Sequence, residues 1–186
     1  MTYLELYNAL NYVDHSRTKR REMSNLILNA PTHIAPLMEI AFQVDDPVSC
    51  KACWVLEFTA KEHLGYLFPS IDTFVHNIGS VHLDPAVRPI AKICEILMKS
   101  YFQLKDKETL DALNDEHLES ITSACFDWLI GDHKVAAQAY SMTSLLLLGR
   151  KFDWIHPELR MILVQNYQNG SAAYKARARM TLAKLR

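Results

Sequence analysis

The chain has 186 residues, 49% apolar and 22% charged, with a net charge of −1. That length suits one well-buried domain rather than two, and the near-neutral charge excludes a generally polybasic nucleic-acid binder and an acidic solvating tail. Five glycines and seven prolines, set among abundant Leu, Ala, Lys, Glu and Met, leave little room for loops and point to an all-α fold.

Helix signals occupy nearly the whole chain. The first helix is predicted over Tyr3–Val13 and the second over Ser16–Leu28, with Ser16 as N-cap and Asn29-Ala30-Pro31 as its stop. Thr32 is placed to cap a third helix reaching Phe42, with Pro36 in its first turn. Asp45-Asp46-Pro47 opens a fourth, ending near Glu62, with a capping acid and a proline at the first helical position.

After a loop over Leu64–Pro69, Ser70 is expected to cap a shorter fifth helix ended by Gly79. Asp84-Pro85 opens the sixth, to about Phe102, with Pro89 expected to kink or tighten its opening turn. The acidic stretch 105–114 reads as a surface connection with about one helical turn. Asp115 begins the seventh helix, which ends before Gly131, and Asp132 is expected to cap the eighth, which Gly149 closes. Pro157 opens the ninth, Asn169-Gly170 ends it, and Ser171 starts the last. About ten helices with short connections make five antiparallel pairs.

The second helices of these pairs begin near 16, 46, 84, 132 and 171. One opening phrase recurs: Asp84-Pro85-Ala86-Val87 through Ala91, and Asp132-His133-Lys134-Val135 through Ala139, both D-x-x-V-x-x-x-A. A shift of 38 residues lays Asp46-Pro47 on Asp84-Pro85, Glu57 on Glu95 and Lys61 on Lys99. Repeats of this period stack helical pairs into a solenoid. Within the sixth helix, Val87, Ile90, Ala91, Cys94, Leu97, Met98 and Tyr101 form a broad buried stripe, widened by Ile93 and Ile96. The fourth helix buries Val48, Ala52, Val55, Leu56 and Thr59 by the same spacing.

These phrases resemble HEAT repeats of the armadillo-type α-α superhelix. Asp46–Glu57 and Val87–Glu95 are similar to stretches of a group of small bacterial HEAT-like proteins, many of which carry the label adenylosuccinate lyase. The resemblance covers most of the chain and implies one domain over 1–186, a right-handed solenoid of about five HEAT-like pairs. That lyase superfamily uses a serine-bearing G-S-S-x-M-P loop, which has no counterpart here, so no lyase residue carries over.

Catalytic and cofactor motifs are absent from the sequence. Cys50-Lys51-Ala52-Cys53 is formally C-x-x-C, but Cys94 and Cys125 stand alone, whereas structural zinc takes four ligands. Four cysteines read as buried, reduced thiols, and eight histidines show no H-x-x-x-H spacing. No Walker A phosphate loop, GxGxxG or G-x-S-x-G element occurs. The reading is no catalytic residue, no metal and no cofactor. The opening residues lack the pattern of an export signal, and no apolar run, Leu145–Leu148 included, is long enough for a bilayer, so a cytoplasmic protein without a membrane partner is expected.

Function then falls to the polar rows of the second helices. Arg88, Lys92, Glu95 and Lys99 share one face of the sixth, and Lys51, Trp54, Glu57 and Lys61 take corresponding places in the fourth. Lys175, Arg179 and Arg186 form the matching row in the last helix. In helical-pair solenoids second helices line the concave side, so these rows are expected to form one groove. A mixed basic, acidic and aromatic lining suits a protein or peptide partner. The second candidate is a nucleic-acid backbone, as in the HEAT-like DNA glycosylases, with Glu57 and Glu95 counting against it.

Overall fold

A computed structural model describes residues 1–185, and among these the chain is all-helical, with no strand. In order, the helices are α1 (Tyr3–Leu10), α2 (Arg17–Asn29), α3 (Ile34–Ala41), α4 (Pro47–Glu62), α5 (Ile71–Asn77), α6 (Asp84–Lys99), α7 (Lys107–Ala112), α8 (Asp115–Ile130), α9 (Val135–Leu148), α10 (Ile155–Tyr167) and α11 (Ala172–Leu182). A 3-10 turn leads into α3, another fills Leu64–Ser70, a third follows α5, and a π turn over Ser100–Leu104 ends α6.

Several caps follow the side-chain chemistry. Ser16 accepts from the Lys19 N–H, Asp46 from the Val48 N–H at 2.9 Å, and Ser171 from the Tyr174 N–H. Other expected caps are different. A 3-10 turn over Pro31–His33 absorbs Thr32, Ser70 makes no capping hydrogen bond, and Gly79 lies in a 3-10 turn without positive φ. Asp132 does not cap α9, because the Gly131–His133 turn intervenes and Lys134 takes the N-cap place. Asp84 is the first residue of α6, and its carboxylate faces the next connection, where the His133 ring lies 3.2 Å away.

Pro89 sits inside α6, which runs on through it. Proline has no N–H, so the carbonyl four residues earlier, on Pro85, loses its helical donor. The indole N–H of Trp54, from α4, donates to that carbonyl at 2.7 Å. The defect in one helix is thus repaired by its neighbour.

Packing runs stepwise along the chain: α2 against α4, α4 against α6, α6 against α9, and α9 against α11. Behind them α3 packs on α4, α8 on α9, and α10 on α9 and α11. The buried apolar side chains form one continuous cluster from Leu6 to Leu185. Val87, Ile90, Ala91, Cys94, Leu97 and Met98 lie within it, as do Val48, Ala52, Val55 and Leu56. Beyond its first two residues, α6 leaves only Arg88, Lys92, Ile96 and Lys99 unburied. A helix gripped on two flanks has one narrow stripe left for solvent, and here that stripe carries three cations.

Candidate functional site

The solvent stripes of α4 and α6 lie side by side. On α4 the stripe is Lys51, Trp54, Phe58, Lys61 and, at its end, Glu62, at the three- and four-residue steps of one helix face. Glu57 and Glu95 belong to the same faces by spacing but are only 1% and 2% exposed. Each carboxylate sits beneath a pair of cations. Arg88 spans from α6 to α4 and grips Glu57 with both terminal nitrogens, Nη2 to Oε2 at 2.7 Å, while Lys61 pairs with the same carboxylate. Lys92 and Lys99 hold Glu95 at 2.6 and 2.9 Å.

This arrangement fixes the electrostatics of the face. A carboxylate stripped of water is costly unless paired, and two cations per carboxylate leave each cluster with a surplus positive charge. Burial pushes the Glu95 carboxyl up, but the hydrogen bonds from Lys92 and Lys99 outweigh it and hold its pKa below the ordinary 4.5. The two buried acids anchor from below, and apart from Glu62 at the end of α4 the charges of these stripes that reach solvent are positive.

Aromatic rings steady the same cations. The Arg20 guanidinium, from α2, lies 4.6 Å from the Trp54 ring centre, and the Lys92 ammonium lies 4.7 Å from that of Tyr140 on α9. Lys61 stands over Phe58. Burial first, then the charge of Arg88, holds the Arg20 guanidinium below its usual pKa. The face therefore extends over four helices, α2, α4, α6 and α9.

The residues expected from sequence do not all meet. Trp54, Glu57, Lys61, Arg88, Lys92, Glu95 and Lys99 come together as described. Lys51 shares the α4 stripe, but its ammonium donates to the Asn11 carbonyl at the end of α1 and joins neither carboxylate. Lys175 and Arg179 lie on α11, separated from α6 by α9, and no described contact links them to the two clusters. Arg186 lies outside the described residues. Arg20, Phe58 and Tyr140 complete the face without having been singled out for it. Arg20 stands within the basic run Arg17-Thr18-Lys19-Arg20-Arg21, and Tyr140 on a helix without charged residues, so spacing alone does not connect them.

The other polar clusters are structurally occupied. The His117 ring accepts the Asn114 N–H through Nδ1 and meets Asp72 through Nε2 at 2.8 Å, so both nitrogens are engaged. A cleft of about 660 Å³ between the connections into α9 and α11 holds Asp132, Lys134, Asn169 and Tyr174, with no aligned acid, base and nucleophile. All four cysteines are buried and unbridged; burial pushes the Cys125 thiol up to about 12 and raises those of Cys53 and Cys94 as well. Among the described residues no group of three His, Cys, Asp or Glu could hold a metal, and no helix is long and apolar enough to cross a membrane.

Compared with family models, curated proteins and solved structures, the chain matches none.

Proposed function

We propose that this chain is a HEAT-like α-α superhelix of about five antiparallel pairs, acting as a non-catalytic interaction module. Its partner is a protein or peptide, held on the face shared by α2, α4, α6 and α9. The stepwise packing of α2, α4, α6, α9 and α11 supports the superhelix. One observation carries the functional reading: every charge on the exposed stripe of α6 is a cation, and two buried carboxylates hold the cations of this face in place. Cations already ordered lose less entropy on binding than free lysines do.

A protein partner is favoured over nucleic acid by what lies between the charges. Ile96, Phe58 and Trp54 alternate with the cations, offering apolar contact that a phosphate backbone does not use. The rings of Trp54 and Tyr140 are each covered on one side by the protein's own cations, which removes surface from base stacking. The nucleic-acid reading rests on the same surplus of positive charge.

The test is capture of partners by wild type and by a Lys61→Glu/Lys99→Glu variant. This pair leaves Arg88 on Glu57 and Lys92 on Glu95, so both buried carboxylates keep a counter-charge. Loss of a partner from the variant supports the face as the binding surface. Identical partner sets from the two proteins remove it. Duplex binding that collapses with salt would instead favour nucleic acid.

A further inference from the structure

We infer that the occupant of this cationic face is the acidic α6–α8 connection of a second copy of the chain, in a reciprocal two-fold dimer. The inference rests on the reading of the face as an interaction surface and adds the identity of what it binds.

The face presents Arg20, Lys61, Arg88, Lys92 and Lys99 against two buried carboxylates and the exposed Glu62 at the end of α4, still a surplus of positive charge. Its complement is on the same chain. Residues 104–119 hold Lys105 and Lys107 against six acids. Two leucines of this segment are exposed, Leu104 at 76% and Leu110 at 39%, although the segment borders a well-filled core. Acids flanking exposed leucines are what a surface of cations interleaved with Trp54, Phe58 and Ile96 can take up.

The two patches are also neighbours. Lys99 ends α6, the π turn over Ser100–Leu104 follows at once, and α7 begins at Lys107 with Asp106 as its cap. Lys105 adopts φ 53°, the only positive φ among the described non-glycine residues, and this reverses the chain out of the π turn. A positive patch beside a negative one is self-complementary under two-fold rotation: each copy's cations meet the other's acids, and both contacts form together. Pairing inside one chain is limited, because Lys107 already holds Asp111 and Lys151 holds Asp115, while Glu108, Glu116 and Glu119 have no ion-pair partner among the described residues.

Sedimentation velocity across micromolar concentrations tests this, using wild type, Lys61→Glu/Lys99→Glu and Glu108→Lys/Asp111→Lys, each checked for folding by circular dichroism. Wild type is expected to dimerise at low salt and to dissociate as salt screens the contact. Each variant alone should bind itself at least about tenfold more weakly. Mixed in equal amounts, the two variants should form a one-to-one heterodimer, because both contacts then join opposite charges again; a folding defect cannot produce that rescue.

A wild type monomeric at low salt, a dimer indifferent to both variants, or a mixture that stays monomeric would each overturn the dimer. Open-ended assembly would overturn its two-fold form. If wild type is monomeric yet loses a different protein partner through Lys61→Glu/Lys99→Glu, the interaction face stands and only the second copy falls. Capture of nucleic acid through the same residues would overturn both.

Discussion

Trp54 completes a hydrogen bond that Pro89 cannot make: its indole N–H occupies the Pro85 carbonyl that a residue at 89 with an N–H would otherwise satisfy. A partly exposed tryptophan thereby becomes part of the backbone bookkeeping of the next helix. Trp54→Phe keeps a ring under Arg20 but leaves that carbonyl without its donor, and should cost about 1–2 kcal/mol. Pro89→Ala returns an N–H at the right place. In urea denaturation of both single variants and the double, Trp54→Phe should cost less in the Pro89→Ala background; equal costs in both would sink the idea.

The clusters beneath the cationic face should dominate the response to charge removal. Glu57→Ala strands Arg88 and Lys61 together and should lose about 2–3 kcal/mol, below the cost of a fully buried pair because both cations are partly wet. Arg88→Ala should cost less, since Lys61 still neutralises Glu57. An equal or reversed order in denaturant midpoints would refute the view of Glu57 as the shared anchor.

Glu95 ties stability to acid. Its pKa is lower folded than unfolded, so its contribution is fully present above the ordinary 4.5 and is lost as pH falls through the lower folded value. Wild type should therefore lose more stability than Glu95→Gln between pH 5 and the acid limit of folding. Midpoints measured over that range would show parallel curves if Glu95 played no part.

Much of the fold was readable from spacing alone. The starts of α2, α4, α6, α8 and α11, and the stripe from Val87 to Met98, follow from capping residues and helical periodicity. The acids of the recurring phrase were harder, since Asp46 caps its helix while Asp84 turns toward His133 and Asp132 stays in a turn. Whether an Asp reaches its own backbone or a neighbour depends on where the next connection docks. Depth was likewise hidden for Glu57 and Glu95. A helical wheel puts them beside Trp54, Lys61 and Lys92, but only the approach of α6 to α4 and of α9 to α6 sends the carboxylates under the cations. Arg20 and Tyr140 reach the face from flanking helices, which periodicity within one helix does not report.

Gly149 is fixed by a neighbour rather than by its backbone angle. A Cβ there would stand 2.0 Å from the His156 ring, which donates to the Leu146 carbonyl through Nε2 at 3.0 Å. Gly149→Ala should cost about 1–3 kcal/mol by pushing the imidazole off that carbonyl. Adding His156→Ala removes the clash, so the double variant should be less destabilised than the two single costs combined. Strict additivity in thermal unfolding would show that the ring is not the obstacle.

Native protein should resist thiol reagents at neutral pH. All four sulfurs are buried, and Cys53, Cys94 and Cys125 are held protonated by loss of solvent. Labelling should appear only with denaturant, all four together if unfolding is cooperative; rapid native modification of Cys94 or Cys125 would contradict their burial.

The position of α6 between α4 and α9 also ranks the molecule in time. A segment whose neighbours must both depart before water reaches its amides exchanges hydrogen for deuterium only through the largest openings of the chain. Amides over Ile90–Met98 should be the last to exchange, after those of α1 and α11. Arg88, Lys92 and Lys99 would thus stand on the slowest-opening helix, a rigid mount for a surface that has to keep its shape.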